Sequence, residues 1–292
     1  MAYFIAAPFL GAFITLMNRL NSDLAAVVGT YASSLVIHLA GLGAVSLVLL
    51  LRPEPRPARR PPLLRYSGGL VGLATVFLCN AVYGALDASL AVALALLGQM
   101  LGSILVDATG FLGRTKRPFT ARSLPGLALA LAGAAALSGG GRAAPGLIFL
   151  AVAAGALPLV SITLNARLAQ DIGLFRGVRA NYLVGLAATL LLAPLFGRAG
   201  LAGLAAAGSA KPLQLAGGGI LGVALVAGTN LVFPRLPALQ ASILMFSGQL
   251  LSGLAVDAAS GAAIQARTPL GLLAVLAGLA LDAGLKALPT RT

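Results

Sequence analysis

Residues 98–108, GQMLGSILVDA, return at 248–258 as GQLLSGLAVDA, an offset of 150. The match takes in polar positions, which hydrophobicity alone would not repeat: Gln99 pairs with Gln249 and Asp107 with Asp257. Further out, Asn80 pairs with Asn230, and Gly68, Gly69 and Gly72 with Gly218, Gly219 and Gly222. Elsewhere the offset shifts with loop length, so that TLMNRL at 15–20 aligns with TLNARL at 163–168, and GLALALAG from Gly126 with GLLAVLAG from Gly271. The chain reads as two related halves, 1–142 and 143–292, each a five-helix unit.

Composition says where those helices lie. The 292 residues are 59% hydrophobic and only 9% charged, with a mean hydropathy of +0.98. A soluble domain carries roughly 25% charged residues. Apolar runs near the ~20 residues that cross a bilayer recur from end to end. Their length and continuity exclude a barrel, whose strands alternate over about ten residues. The expected spans are 3–20, 30–51, 66–86, 89–111, 123–140, 146–166, 178–197, 214–233, 237–257 and 268–288, an all-α membrane protein of ten helices forming one transmembrane domain. The first run lacks the basic n-region and the cleavage site of a signal peptide.

The net charge of +13 invites a nucleic-acid reading. The basic residues lie between apolar runs, mostly at alternate loops, and no folded basic domain carries them. Lys and Arg in that pattern set orientation by staying on the cytoplasmic side. Arg52, Arg56, Arg59, Arg60 and Arg65 place the second loop inside, and alternation adds Arg114, Lys116, Arg117, Arg122, Arg167, Arg176, Arg179, Arg235, Lys286 and Arg291. Fifteen of the 20 basic residues then face the cytoplasm, with both termini inside. Arg19, Arg142, Arg198, Lys211 and Arg267 fall outside, and Asp23 is placed to neutralise Arg19. Because five is odd, the second half enters the membrane inverted, and transporters with such repeats bind substrate near the midplane, between the halves.

Two five-helix copies resemble the drug/metabolite transporter superfamily, EamA-like, and within it the YdcZ-like family. The resemblance rests on an Asn-containing signature in the first helix of each unit, Leu16-Met17-Asn18-Arg19-Leu20 and Leu164-Asn165-Ala166-Arg167-Leu168. It rests also on Gly98-Gln99, then Asp107, then Gly110-Phe111-Leu112-Gly113. The second copy departs from it, with Ser260-Gly261-Ala262-Ala263 in the last of these places. The family implies transport, and the preference for Arg over Lys, 17 to 3, points to a GC-rich bacterial genome and so to a multi-pass protein of the cell (inner) membrane.

A polar side chain in hydrocarbon is either glue between helices or part of a solute path. Gln99 and Gln249, about ten residues into their helices, lead the substrate-binding candidates, followed by Asn80, Asn230, Asn18 and Asn165. Each amide offers donors and an acceptor. Asp107 and Asp257, about 12 Å along the helix from the glutamines, are coupling or gating candidates. Their alternative is an interfacial carboxylate paired to loop arginines such as Arg114. His38, able to exchange a proton near neutral pH, is a third candidate for coupling. No mid-membrane carboxylate is present to meet an organic cation, which favours a neutral or zwitterionic solute. Pro8, Pro158, Pro194 and Pro234 are placed to bend helices.

Nucleotide-binding, zinc-protease and hydrolase-elbow motifs are absent, so neither an enzyme nor a cofactor is expected. The lone Cys79 allows no internal disulfide. The expected partners are a small-molecule substrate and the lipid bilayer, with no nucleic acid, in a monomer or homodimer. The sequence thus points to a secondary transporter or facilitator using alternating access. A non-transporting assembly subunit and an intramembrane enzyme are its rivals.

Overall fold

In a computed structural model, all residues are described except 56, 58, 59, 87, 118, 139–143, 193, 194, 196–200, 260–268, 272, 275, 279, 280, 282–284 and 286–292. Nine long α-helices occur among the described residues: α1 (Ala2–Val28), α2 (Thr30–Leu51), α3 (Gly68–Ala85), α4 (Ala88–Thr109), α5 (Leu124–Ser138), α6 (Pro145–Ile172), α7 (Leu174–Leu191), α8 (Pro212–Val232) and α9 (Ala238–Ala259). Five helical stretches among them are long and apolar enough to cross a membrane. The expected tenth span, 268–288, falls largely outside the described residues, as do Arg56, Arg59, Arg142, Pro194, Arg198, Arg267, Lys286, Arg291 and the 260–263 stretch.

The first and sixth helices run past their expected ends at 20 and 166 to Val28 and Ile172, and the seventh starts at Leu174 instead of 178. Nothing in Asn21–Val28 or Arg167–Ile172 breaks a helix, and Arg19 and Asp23 make an i,i+4 ion pair at 3.3 Å. What ends each helix is a single glycine. Gly29 (φ 82, ψ 158) and Gly173 (φ 104, ψ 153) occupy a backbone region that is essentially closed to other residues. Each chain reversal closes identically: Gly29 N–H donates to Ala25 and Ser33 N–H to Gly29, while Gly173 donates to Ala169 and Gly177 to Gly173, all at 2.8–3.0 Å. Arg167 therefore lies on α6, and Arg176 and Arg179 on α7, instead of in a loop.

The chain forms two compact units, each drawing on both halves of the sequence. One comprises residues 1–12, 75–159 and 234–292. There α4 packs on α5 and α9 around Leu96, Met100, Ala130, Leu239, Ile243 and Phe246. Lipid is as apolar as leucine, so close backbone approach and polar bonds must supply the association energy. The hydroxyls of Ser103 and Ser242, both fully buried, meet at 2.7 Å across α4 and α9. Glycines bring backbones together: a Cβ at Gly98 would overlap the Val152 carbonyl, and one at Gly155 the Ala95 carbonyl. The same two contacts recur with α1 and α9, where Gly248 meets the Pro8 carbonyl and Gly11 the Met245 carbonyl.

The other unit comprises residues 13–74 and 160–233. Here α2 packs on α7 and α8, with Val45, Val178, Tyr182, Val223 and Ala227 at the core. A Cβ at Gly69 would strike the Asn181 carbonyl and the Gly185 amide; one at Gly219 would strike the Ile37 carbonyl and the Gly41 amide. Inside each unit, then, one set of contacts is written twice. The register is 144 residues for α1–α2 against α6–α7 and 150 for α3–α4 against α8–α9.

Candidate functional site

The glycine-stopped turns correct one alignment. Counted from Gly29 and Gly173, Asn165 corresponds to Asn21, not to Met17 as TLMNRL had it, and His38 corresponds to Tyr182. The contacts agree. The Asn165 Oδ1 lies where a Cβ of Gly68 would be, and the Asn21 Oδ1 where a Cβ of Gly218 would be, so each oxygen rests on a glycine Cα–H of a neighbouring helix. Such contacts are weak acceptors' partners at best. Asn165, 5% exposed, donates from Nδ2 to Ser161 Oγ at 3.3 Å, and Ser161 donates to the Gly68 carbonyl at 2.7 Å. Its Oδ1 has no hydrogen-bond donor among the described residues, nor does that of Asn21.

Asn230 on α8 goes further, being 4% exposed with neither Oδ1 nor Nδ2 partnered among the described residues. Leaving such groups unsatisfied costs ~1–3 kcal/mol each. Asn18, by contrast, is exposed on α1. The backbone of Asn80 lies on α3, and its side chain is outside what the structure describes.

His38 and Tyr182 exchange places across α2 and α7. The His38 ring fills the space a Cβ of Gly185 would take, and the Tyr182 ring that of Gly41. The two rings meet edge to face with centroids 5.9 Å apart. His38 Nδ1–H donates to the Ser34 carbonyl at 2.7 Å, which fixes a proton on that nitrogen and leaves Nε2 over Gly185. Tyr182 donates to the Gly219 carbonyl at 3.1 Å, and Ser34 and Thr189 hydroxyls meet at 3.3 Å. These bonds join three helices and use groups that one histidine in the sequence gave little sign of.

Gln99 and Gln249 are half-buried on α4 and α9. Their backbone carbonyls accept from Ser103 at 2.6 Å and Ser252 at 3.1 Å. Asp107, 7% exposed at the end of α4, accepts from the Ala238 and Leu239 amides at 2.9 and 3.1 Å, serving donors that open α9. Arg114 stands 3.9 Å from the same carboxylate and donates to the Leu236 carbonyl at 2.8 Å. Asp107 thus stands beside Arg114, one of the loop arginines named for it, and serves a helix end that the sequence did not announce. The side chain of Asp257 on α9 is outside what the structure describes.

The Gly-Phe-Leu-Gly stretch explains how Arg114 gets there. Gly110 (φ 66), Leu112 (φ 52) and Gly113 (φ 77) are left-handed, and the reversed chain closes with Arg117 N–H donating to the Asp107 carbonyl at 2.7 Å. Among the described residues no cluster of three His, Cys, Asp or Glu could hold a metal.

A protein of known crystal structure shares the fold, with a TM-score of 0.71 at 20% identity over 97% of both chains. No curated protein matches the sequence. A family profile described as "Putative inner membrane exporter, YdcZ" matches residues 2–136 and 146–284, two segments that together take in nearly the whole chain. The chain belongs to this YdcZ family of the drug/metabolite transporter superfamily, an inner-membrane, multi-pass family associated with transport.

Proposed function

We propose that the chain is a secondary transporter or facilitator that moves a small neutral or zwitterionic metabolite or drug across the inner membrane, outward as the family's description implies. In this reading ten helices form two inverted five-helix repeats, 1–142 and 143–292, with both termini cytoplasmic, and alternating access occurs at a cavity between the repeats. The doubled contacts within each unit support the repeat, since a glycine approach and its reciprocal occur at constant offsets.

The observation that carries the reading is that buried amides, Asn230 foremost and Asn165 next, keep hydrogen-bonding capacity unspent among the described residues. Amides kept only as glue would be expected to spend their donors and acceptors on neighbouring helices. A polar solute passing them would supply the missing partners in one state of the cycle. Gln99, Gln249, Asn80 and Asn18 are the other substrate-binding candidates in this reading.

The test is thermal stability of the purified protein against a broad metabolite and drug panel, with Asn230→Leu, Asn165→Leu, Gln99→Leu and Gln249→Leu run beside the parent. A ligand stabilises by mass action only if it prefers the folded state. Leucine keeps asparagine's branching and heavy-atom count without its donors and acceptor, so Asn230→Leu should fold while losing the ligand's effect. A parent indifferent to every compound, with variants that unfold outright, would make these amides structural and sink the proposal.

A further inference from the structure

The fold-back loop after α4 builds a recess of about 270 Å³ whose polar lining is Asp107, Arg117, Thr120, Ser123 and Gln240. Arg117 is its least settled member: Nη1 is buried and has no hydrogen-bond partner among the described residues. Asp107 cannot settle it. That carboxylate is taken by the Ala238 and Leu239 amides, and its charge is faced by Arg114 at 3.9 Å.

The other polar groups are neutral, and Lys116 and Arg122 add to a field that no acidic residue between 108 and 123 offsets. A buried N–H left without an acceptor is costly, and an oxygen of an incoming anion removes that cost. The guanidinium fork suits phosphate oxygens in particular, and Thr120, Ser123 and Gln240 can donate beside it. The rest of the lining is hydrocarbon, supplied by Ile104, Phe119 and Leu239, with Phe119 37% exposed at the mouth. A polar anionic head beside an apolar wall is the signature of an amphiphile.

We propose that this recess binds the phosphate of an anionic phospholipid, drawn from the leaflet on the side to which the basic loop belongs. The site is separate from the proposed solute path and stands whether or not transport is shown. Basic pockets between membrane helices hold phospholipid heads by this same pairing.

The test uses the purified full chain in a neutral detergent, titrated with dioleoylphosphatidylglycerol, with dioleoylphosphatidylcholine, and with inorganic phosphate, bound lipid being counted by native mass spectrometry. The parent should retain phosphatidylglycerol in preference to phosphatidylcholine. Arg117→Gln should weaken that retention about tenfold or more, whereas Lys116→Gln, equal in charge lost, should change it less than about twofold. Should Arg117→Gln fail to fold, Thr120→Val with Gln240→Leu, which leaves every charge in place, must still weaken phosphatidylglycerol severalfold. Equal losses in the Arg117 and Lys116 variants, or no preference over phosphatidylcholine, would overturn the site. Competition by millimolar inorganic phosphate as effective as that by the lipid would overturn the lipid assignment in favour of a free anion.

Discussion

The α1–α2 and α6–α7 turns have nearly the same backbone and pack against different partners. Both turn on one glycine in a region closed to other residues, and both close with the same pair of hydrogen bonds. At the α6–α7 turn the Glu54 carboxylate accepts from the Phe175 and Arg176 amides at 2.9 and 3.0 Å, while Arg176 donates back to the Glu54 carbonyl at 2.6 Å. Arg65 and Asp171 add an ion pair beside it. At the α1–α2 turn Leu24, Val28 and Ala32 pack on Ala210, with Gly203 against the Val28 carbonyl. One repeated backbone therefore tolerates a charged clamp in one copy and an apolar one in the other. The charged clamp belongs to the turn that the basic-residue pattern expects on the cytoplasmic side.

The comparison breaks most visibly at the turning glycines. Alanine at Gly29 meets only strain, because nothing among the described residues stands near its Cβ, and should cost ~1–3 kcal/mol. Alanine at Gly173 meets the same strain and also collides with the Glu54 carboxylate, so it should add the loss of that cap, ~1–3 kcal/mol more. Unfolding midpoints of the two purified variants should fall in that order; equal losses would show that Glu54 contributes nothing to the second turn. Gly203→Ala probes the apolar clamp. Its Cβ overlaps the Val28 carbonyl, and forcing the 203–209 turn off α1 should cost ~1–3 kcal/mol. A midpoint within experimental error of the parent would mean that α1–α2 does not lean on that segment.

The repeat and the membrane class were legible because composition and polar spacing survive in the letters. The α1/α6 register was not, because TLMNRL matches TLNARL well one turn away from the structural register, and only the glycine stops set it. Helix lengths failed at the same places: a scan for apolar runs ends at Asn21 or Arg167, although polar residues continue a helix readily where nothing breaks it. Asp107 was visible as a polar residue at a helix end, but the backbone amides it serves lie 131 and 132 residues away, and backbone donors leave no trace in a sequence. Glu54 was overlooked for the same reason, hidden in a proline-rich loop that reads only as basic. His38 was visible, whereas its reciprocal Tyr182 emerges only once Gly29 and Gly173 are superposed.

The charged clamp can finally be divided into its parts, whose effects should be unequal. Glu54→Gln keeps the shape and one acceptor but removes the charge that strengthens two bonds to α7 amides, and should cost ~1–2 kcal/mol. Arg65 and Asp171 are 36% and 27% exposed, so water and salt screen their attraction, and Asp171→Asn should cost no more than about 1 kcal/mol. Denaturation midpoints measured at low and high salt separate the two. The Asp171 variant should converge on the parent as salt rises, because an exposed pair is screened within about 10 Å at 0.1 M. The Glu54 deficit should persist, because its partners are backbone dipoles at hydrogen-bond distance. If instead Asp171→Asn is the costlier change and salt leaves it untouched, the clamp is built on the ion pair and the cap is incidental.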